Sequence, residues 1–374
     1  MREAVFFKMK IPYISLSSQW KKEKKYLSPI IQKVLESGIY INSKEVDAFE
    51  KNISRICKTK FAVALNSGTD ALLLSLHLLG VKRGDEVITP PNSFIASTSV
   101  IVHIGAKPVF VDVLEDQNIN PELIEKAITK RTKAIMPVHL TGRVCEMNEI
   151  IRISKKYGIP IIEDAAQAIG SKYYNYFSGS LGEIGCFSAH PLKNLNACGD
   201  SGFITTNNYS LYSKAKIMRN HGLINRSIVK KFAFLSRMDV LQAAILNYRI
   251  KNLDSIIAMR RANAKYYFQN LDTSRYKLID EKKYQFNTYH TFVIQTKNRD
   301  GLMKFLKKNG IETAIHYPVP IHLQPAAKFL GYSKGSFPVT EKQSQQILTL
   351  PINQNLNQAA LRRITNYLNN FQYD

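Results

Sequence analysis

The sequence predicts an α/β protein: a large domain built on a mostly parallel sheet covered by helices, followed by a smaller α+β unit. Three observations carry that expectation. Between about residues 60 and 206, short apolar and β-branched runs alternate with helical patterns, as in βαβ units whose strands are buried on both faces. A long helical stretch then spans 239–271, with Val240, Leu241, Ala244, Ile245, Tyr248, Leu253 and Ile257 spaced as one buried stripe. The 374-residue chain is also long enough for a large core and more than one domain.

In chain order, the strand-like runs of the first unit are 61–65, 86–89, 108–112, 134–138, 160–163, 185–188 and 202–205. Helical patterns fall between them at 69–79, 95–103, 121–128 and 146–157. The helical stretch 239–271 links the two units. Beyond it, 289–295 reads as a strand, 300–308 as a helix, 348–352 as an apolar run and 356–368 as a helix, the makings of a smaller α+β unit. There are no internal repeats or low-complexity tracts.

Composition narrows the class. With 45% hydrophobic and 22% charged residues the chain reads as an ordinary soluble globular protein. No run approaches the ~18 apolar residues of a membrane span, and the start Val5-Phe6-Phe7 is too short for a signal peptide, so the expected location is the cytoplasm. Cys57, Cys145, Cys186 and Cys198 form no Cys-x-x-Cys pair, and no histidines stand at ligand spacing, so neither a disulfide framework nor a metal site is expected. The formal charge of +23 suits a polyanionic partner, but the lysines are scattered and no nucleic-acid motif accompanies them. A diffuse positive field favouring an anionic metabolite fits better than specific nucleic-acid binding.

Chemistry concentrates where strands end. Phe187-Ser188-Ala189-His190-Pro191-Leu192-Lys193 sets a lysine on a turn after an apolar strand, where desolvation can lower an amine's pKa enough for attack on a carbonyl. Most of the 52 Lys and Arg residues must be solvated surface charges, so Lys193 gains meaning only beside a cofactor site. Asn66-Ser67-Gly68-Thr69-Asp70, between a strand and an apolar-periodic helix, aims backbone N–H groups and a helix dipole at one point, as a phosphate cradle does; a simple N-cap has the same sequence. Glu163-Asp164 lies at the carboxyl end of a strand, where open sheets bind ligands. An aspartate buried there needs a cationic partner such as a protonated pyridine nitrogen; the competing reading is that it caps the next helix or binds a metal, though no second ligand cluster is visible. Phe94, after another strand at the same edge, could stack on a flat ring or simply fill core.

Taken in order, five stretches closely resemble the DegT/DnrJ/EryC1/StrS family of pyridoxal-phosphate-dependent nucleotide-sugar aminotransferases. They are Ser67-Gly68-Thr69-Asp70-Ala71-Leu72, Gly84-Asp85-Glu86-Val87-Ile88, Pro137-Val138-His139-Leu140-Thr141-Gly142-Arg143, Glu163-Asp164-Ala165-Ala166-Gln167 and the run from Phe187 to Leu195. The likeness continues through Arg219-Asn220-His221-Gly222, Ser236-Arg237-Met238-Asp239, His316-Tyr317-Pro318-Val319-Pro320 and Phe337-Pro338-Val339-Thr340-Glu341, covering nearly the whole chain. It implies a fold-type I, aspartate aminotransferase-like architecture: an N-terminal segment 1–42 packing on the small domain, a large seven-stranded domain 43–245 and a small domain 246–374. It further implies a homodimer with shared active sites. Lys193 would carry pyridoxal 5'-phosphate as a Schiff base and Asp164 would pair with the pyridine nitrogen. Gln167 would lie near the phenolic oxygen, Phe94 would stack on the ring, and Ser67, Gly68, Thr69 and Ser188 would hold the phosphate. Arg237, His316, Tyr317 and His322 are candidate substrate contacts. The implied reaction moves an amino group, usually from L-glutamate, to a keto-sugar on a nucleoside diphosphate, for amino-sugar and surface-polysaccharide synthesis. The run from His316 to Gln324 resembles members that aminate 3-keto-6-deoxyhexoses linked to dTDP.

The chain departs from the family pattern at Leu235, where an Asn usually reaches across the dimer to the cofactor phosphate, and at Ser43 and Ser201, where glycine is usual. Leucine donates no hydrogen bond, and losing one to a charged group costs about 1.5–3 kcal/mol, a weakening of roughly ten- to hundredfold. Two alternatives stay open within the family. One is a pyridoxal-dependent sugar dehydratase, in whose relatives histidine replaces the lysine. The other is a catalytically weakened regulatory member, which Leu235 would suit. A basic nucleic-acid-binding protein is the third.

Overall fold

The computed structural model describes residues 10–372; residues 1–9, with the Val5-Phe6-Phe7 start and the head of the expected 1–42 segment, and residues 373–374 lie outside the described residues. The core of the large unit is a sheet of seven strands: β1 Phe61–Leu65, β2 Glu86–Thr89, β3 Lys107–Phe110, β4 Thr132–Ile135, β5 Ile162–Asp164, β6 Ile184–Ser188 and β7 Gly202–Thr206. Ladders give the orders β1-β7-β6-β5 and β3-β2-β4, and parallel bridges Ile135↔Ile161 and Val138↔Asp164 join the two halves between β4 and β5. β7 runs antiparallel to both its neighbours; the other pairings are parallel.

Each strand follows from its residues. Val63, Leu65, Val87, Ile88, Ile135, Ile162, Ile184 and Ile204 are essentially inaccessible, so these strands are apolar on both faces, as a sheet covered on two sides requires. The helices Gly68–Leu78, Ala96–His103 and Tyr209–Met218 bury Leu72, Leu76, Ile101, Leu211 and Met218 against one face. The other face packs in part on the helices Lys44–Cys57 and Val240–Ile250 through Phe49, Ile53, Ala243 and Leu246. The expected strands all form, most with bounds moved by a residue or more.

The long stretch 239–271 is two helices, Val240–Ile250 and Leu253–Asn270, parted by a turn at Lys251-Asn252. In the smaller unit Phe292–Gln295 pairs antiparallel with Ile347–Leu350, and both pack with the helices Arg299–Lys308 and Gln358–Asn369 around Leu302, Leu306, Leu361 and Ile364. Helix Pro338–Gln346 is capped from the large unit: the Asp112 carboxylate accepts from the N–H groups of Val339 and Thr340, each at 3.0 Å.

The N-terminal segment touches both units. Ile11 bridges Ile311 of the smaller unit, whereas the helix Leu16–Ser37, capped by the Ser15 hydroxyl, lies on the helix Val240–Ile250. Glu23 on that helix pairs with the buried Arg249 at 2.8 Å, and Arg249 donates to the carbonyls of Asn196 and Ala197. The N-terminal helix thereby braces the loop that carries Lys193. Among the described residues no helix is long and apolar enough to cross a membrane, and no cluster of three or more potential metal ligands forms.

Candidate active site

The carboxyl ends of β1, β5 and β6 open onto one cavity of about 380 Å³. Its lining includes Ser67, Gly68, Thr69, Phe94, Asp164, Gln167, Ser188, Lys193, His316 and Tyr317, ten of the residues expected from sequence.

After β1 the chain turns at Ser67, whose hydroxyl accepts from the Asp70 N–H at 3.1 Å and caps the helix Gly68–Leu78. The N–H groups of Gly68 and Thr69, at the first two helical positions, have no acceptor within the helix and sit at its positive end. Ser188, at the end of β6, closes this turn from the other side. A Cβ on Gly68 would lie 2.6 Å from the Ser188 Cβ, so only glycine admits the contact. Gly202, opposite both Leu65 and Ser188 in register, is equally constrained: a Cβ there would come within 2.2 Å of the Ser67 carbonyl. The N-cap is thus formed, and the same turn leaves the Gly68 and Thr69 N–H groups free at a helix end of the kind that receives an anion.

Asp164 ends β5 and is 4% exposed. One carboxylate oxygen accepts from the Ser97 hydroxyl at 2.7 Å, the other from the Ala166 N–H at 3.2 Å. Burial pushes its carboxyl above the usual range, while the Ser97 bond, the Ala166 N–H and the Lys193 charge pull it back. Glu163, its neighbour, points elsewhere: its carboxylate meets His139 Nε2 at 2.9 Å and accepts from the N–H groups of Gly179, Leu181 and Gly182. Of the two acids at this strand end, only Asp164 lines the cavity.

Lys193 follows β6 on a turn closed by its own N–H to the His190 carbonyl at 2.8 Å. Asn194 fixes the next position by donating to the Thr288 carbonyl at 3.0 Å. Burial lowers the Lys193 amine to about 8, against a smaller opposing pull from Asp164. At neutral pH such an amine yields a free base far more readily than a surface lysine. Phe94 is half-exposed at the cavity mouth with the Tyr317 ring 5.9 Å away. Gln167 accepts from the Thr141 N–H at 2.8 Å and lies beside the Tyr317 phenol. His316 Nδ1 is 3.0 Å from the Thr349 hydroxyl, and burial pushes this histidine down to about 4.

Two expected substrate contacts are not on this cavity. His322 is buried, with Nε2 3.0 Å from Glu341 and its ring edge-on to Phe337. Arg237 donates to Asn220 at 3.1 Å on a loop beside the half-exposed Leu235. The structure adds residues the sequence reading passed over: Tyr13, Ser97, His190, Asp200 and His290 also line the cavity. Ser97 had a usable signal, being the second residue of the helix that follows the Pro90–Phe94 turn at the binding edge. Tyr13 and His290 sit far from any motif, and only the packing of the smaller unit brings them in.

This set of groups fits pyridoxal phosphate. The cradle between Gly68 and Ser188 suits a phosphate, and Asp164, buried with no cation within ion-pair distance among the described residues, suits a protonated ring nitrogen. Phe94 offers a ring face and Lys193 an amine.

Known proteins agree. The sequence model of the "DegT/DnrJ/EryC1/StrS aminotransferase family" matches residues 21–369. A "Pleiotropic regulatory protein" of Geobacillus stearothermophilus is 38% identical over 92% of this chain and 94% of its own. The dTDP-3-amino-3,4,6-trideoxy-alpha-D-glucose transaminase of Streptomyces venezuelae is 36% identical over 95% of this chain and 94% of its own. The crystal structure of S. venezuelae DesV with a ketimine intermediate superposes with a TM-score of 0.94 at 36% identity, covering 96% of this chain and 98% of that one.

Proposed function

The chain belongs to the DegT/DnrJ/EryC1/StrS aminotransferase family, and from that premise we propose that it moves an amino group from an amino acid to a keto-sugar carried on a nucleoside diphosphate. The single observation that carries this reading is Lys193, a half-buried amine lowered to about 8, sharing one cavity with Asp164 and the Gly68–Ser188 cradle. The fold is that of fold-type I transferases, and the cofactor is pyridoxal 5'-phosphate.

When bound, pyridoxal phosphate supplies a carbonyl for amine exchange and an electron sink. The residues around it divide the remaining work. The first-turn N–H groups of Gly68 and Thr69, with the Ser67 and Ser188 hydroxyls nearby, bind and orient the phosphate. Asp164, held by Ser97, keeps a proton on the ring nitrogen. Phe94 covers a ring face, and Gln167 is placed for the phenolic oxygen. Lys193 Nζ would hold the cofactor at its carbonyl and would carry a proton to and from the substrate carbon, a task its lowered pKa suits at neutral pH. Having lysine at this position, where dehydrating relatives have histidine, favours amination over dehydration.

The finer reading is amination of a 3-keto-6-deoxyhexose linked to dTDP, with L-glutamate as donor, in a cytoplasmic homodimer. Support for the sugar comes from the run His316–Gln324 and from the transaminase relative of S. venezuelae. A dimer is supported by the exposed apolar groups Leu16, Trp20, Tyr40, Ile224, Ile228 and Phe232, the last 94% exposed. Arg237, turned from its own cavity, would then serve the neighbouring one as a substrate contact. His322 reaches the substrate only indirectly, by holding the segment that bears Tyr317.

The regulatory likeness of the Geobacillus relative makes turnover the point to test. Purified protein given pyridoxal phosphate should show a visible band that borohydride abolishes and that Lys193→Ala lacks. A panel of nucleotide keto-sugars with L-glutamate should then show nitrogen gained at one sugar carbon. A band that persists in Lys193→Ala, or no amination across the panel, would overturn the assignment.

A further inference from the structure

One stretch of the cavity wall has no part in holding the cofactor. Tyr13, His290 and His316 line it together, with the rings of Tyr13 and His316 5.9 Å apart. Tyr13 is pinned by its main chain, its N–H donating to Glu312 at 3.1 Å and its carbonyl accepting from Asn353 at 3.0 Å. Behind this wall lies Arg260, 3% exposed. Its Nη1 donates to the carbonyls of Tyr289 and His290, each at 3.1 Å. Its Nε has no partner, and no carboxylate lies within ion-pair distance of it, among the described residues. The titratable group it feels is the Tyr13 phenol.

A guanidinium does not shed its proton to escape burial, so an unpaired one is costly unless an anion comes near. Neither histidine beside it brings a competing charge: burial and Lys193 hold both His290 and His316 down, His316 to about 4. Each remains an N–H donor. His290 Nδ1 is buried with no partner among the described residues; a bare lone pair is the cheaper group to leave there, which puts the proton on Nε2. The wall therefore presents hydrogen-bond donors backed by one uncompensated positive charge, and no acid. Phosphate has its own seat at Gly68 and Thr69, and Lys193 is committed to carbonyl chemistry.

We propose that Tyr13 and His290, backed by Arg260 and bordered by His316 at the start of the sugar-side run, form the subsite that takes a carboxylate of the amino-acid donor. The inference rests on the aminotransferase reading above and adds to it where the donor, as distinct from the sugar, is recognised. Donor and sugar would then share Lys193 and the cofactor while drawing on different walls of one cavity, as a two-step exchange through a single site requires.

The test uses the protein loaded with pyridoxal phosphate. Binding of glutarate, a dicarboxylate with no amine to react, is measured by calorimetry. The two half-reactions are followed separately by rapid mixing, L-glutamate with the loaded protein and keto-sugar with the aminated form. Arg260→Gln and His290→Gln should weaken glutarate, and the specificity constant for glutamate, roughly ten- to hundredfold more than the constant for the sugar. Arg260→Lys, which keeps the charge, should recover much of the loss. Where Arg260→Gln fails to fold, His290→Gln carries the comparison. Equal losses in both half-reactions, a selective loss on the sugar side, or no change would each overturn the subsite. Wild-type protein that performs neither half-reaction would sink the aminotransferase reading itself, and the subsite with it, a result distinguishable because no variant is involved.

Discussion

Replacing Lys193 by Met should make the cofactor-free protein more stable at neutral pH. Lys193 is held in a site that disfavours its charge, its amine lowered from 10.5 to about 8 by burial. The difference, already net of the attraction to Asp164, corresponds to about 3 kcal/mol between the two protonation states, an upper figure because the half-buried amine keeps part of its hydration, leaving a net gain of about 1–2 kcal/mol. The unfolded chain keeps the extra proton up to its ordinary value, whereas the folded chain releases it above about 8. The penalty is thus complete below pH 8, and wild-type stability rises as pH climbs from about 8 to 10.5. Met is close to Lys in shape and adds no charge, so it should remove the penalty at every pH. Urea unfolding of both proteins at pH 7, 8, 9 and about 10, freed of cofactor, should show the variant ahead at pH 7 and the gap narrowing as pH rises. A variant no more stable at pH 7, or a gap independent of pH, would refute the claim that burial primes this lysine for nucleophilic attack.

Leu235→Asn should tighten cofactor binding roughly tenfold, in line with one regained hydrogen bond to a charged group; an unchanged or weaker constant in an absorbance titration would mean the phosphate is held by another route. Gly202→Ala should destabilise the fold by about 1–3 kcal/mol, because its Cβ would meet the Ser67 carbonyl at 2.2 Å; a denaturation midpoint equal to wild type would contradict that close approach. Ser97→Ala removes the donor that pulls the Asp164 carboxyl down. The acid limb of the cofactor's spectral titration should move to higher pH and cofactor affinity should fall roughly tenfold, and an unmoved limb would show that Ser97 does not set the state of Asp164.

The sheet was legible because its strands are short apolar runs bounded by polar turns, a pattern that buried parallel strands can hardly avoid. β1 and β2 begin and end where the residues say they should. The break at Lys251-Asn252 was not legible, since no Pro or Gly marks it and the apolar stripe resumes at Leu253 in nearly the same phase. The N-terminal helix Leu16–Ser37 was hidden in another way. Its lysine run at 21–25 and its internal Pro29 resemble solvated loop, and its role lies in one residue, Glu23, reaching Arg249. Site residues on strand ends could be read because topology gathers such ends at one edge. His322 could not be placed, because its neighbours in sequence meet the cavity while its own ring turns inward to Glu341.

Gly202 is the register partner of Leu65 on one side and of Ser188 on the other. The strands β1 and β6, which lead into the proposed phosphate turn and the turn that carries the amine, therefore stand two strand spacings apart, about 9–10 Å, a length ruled by hydrogen-bond ladders, and the bare Gly202 between them lets the two turns close over it until Gly68 meets Ser188. The sheet serves as a gauge block for one molecule of invariant size. Insertions or drift in the smaller unit can reshape the room left for sugar and donor without altering that gauge, so new acceptors can be explored while the shared chemistry stays in calibration.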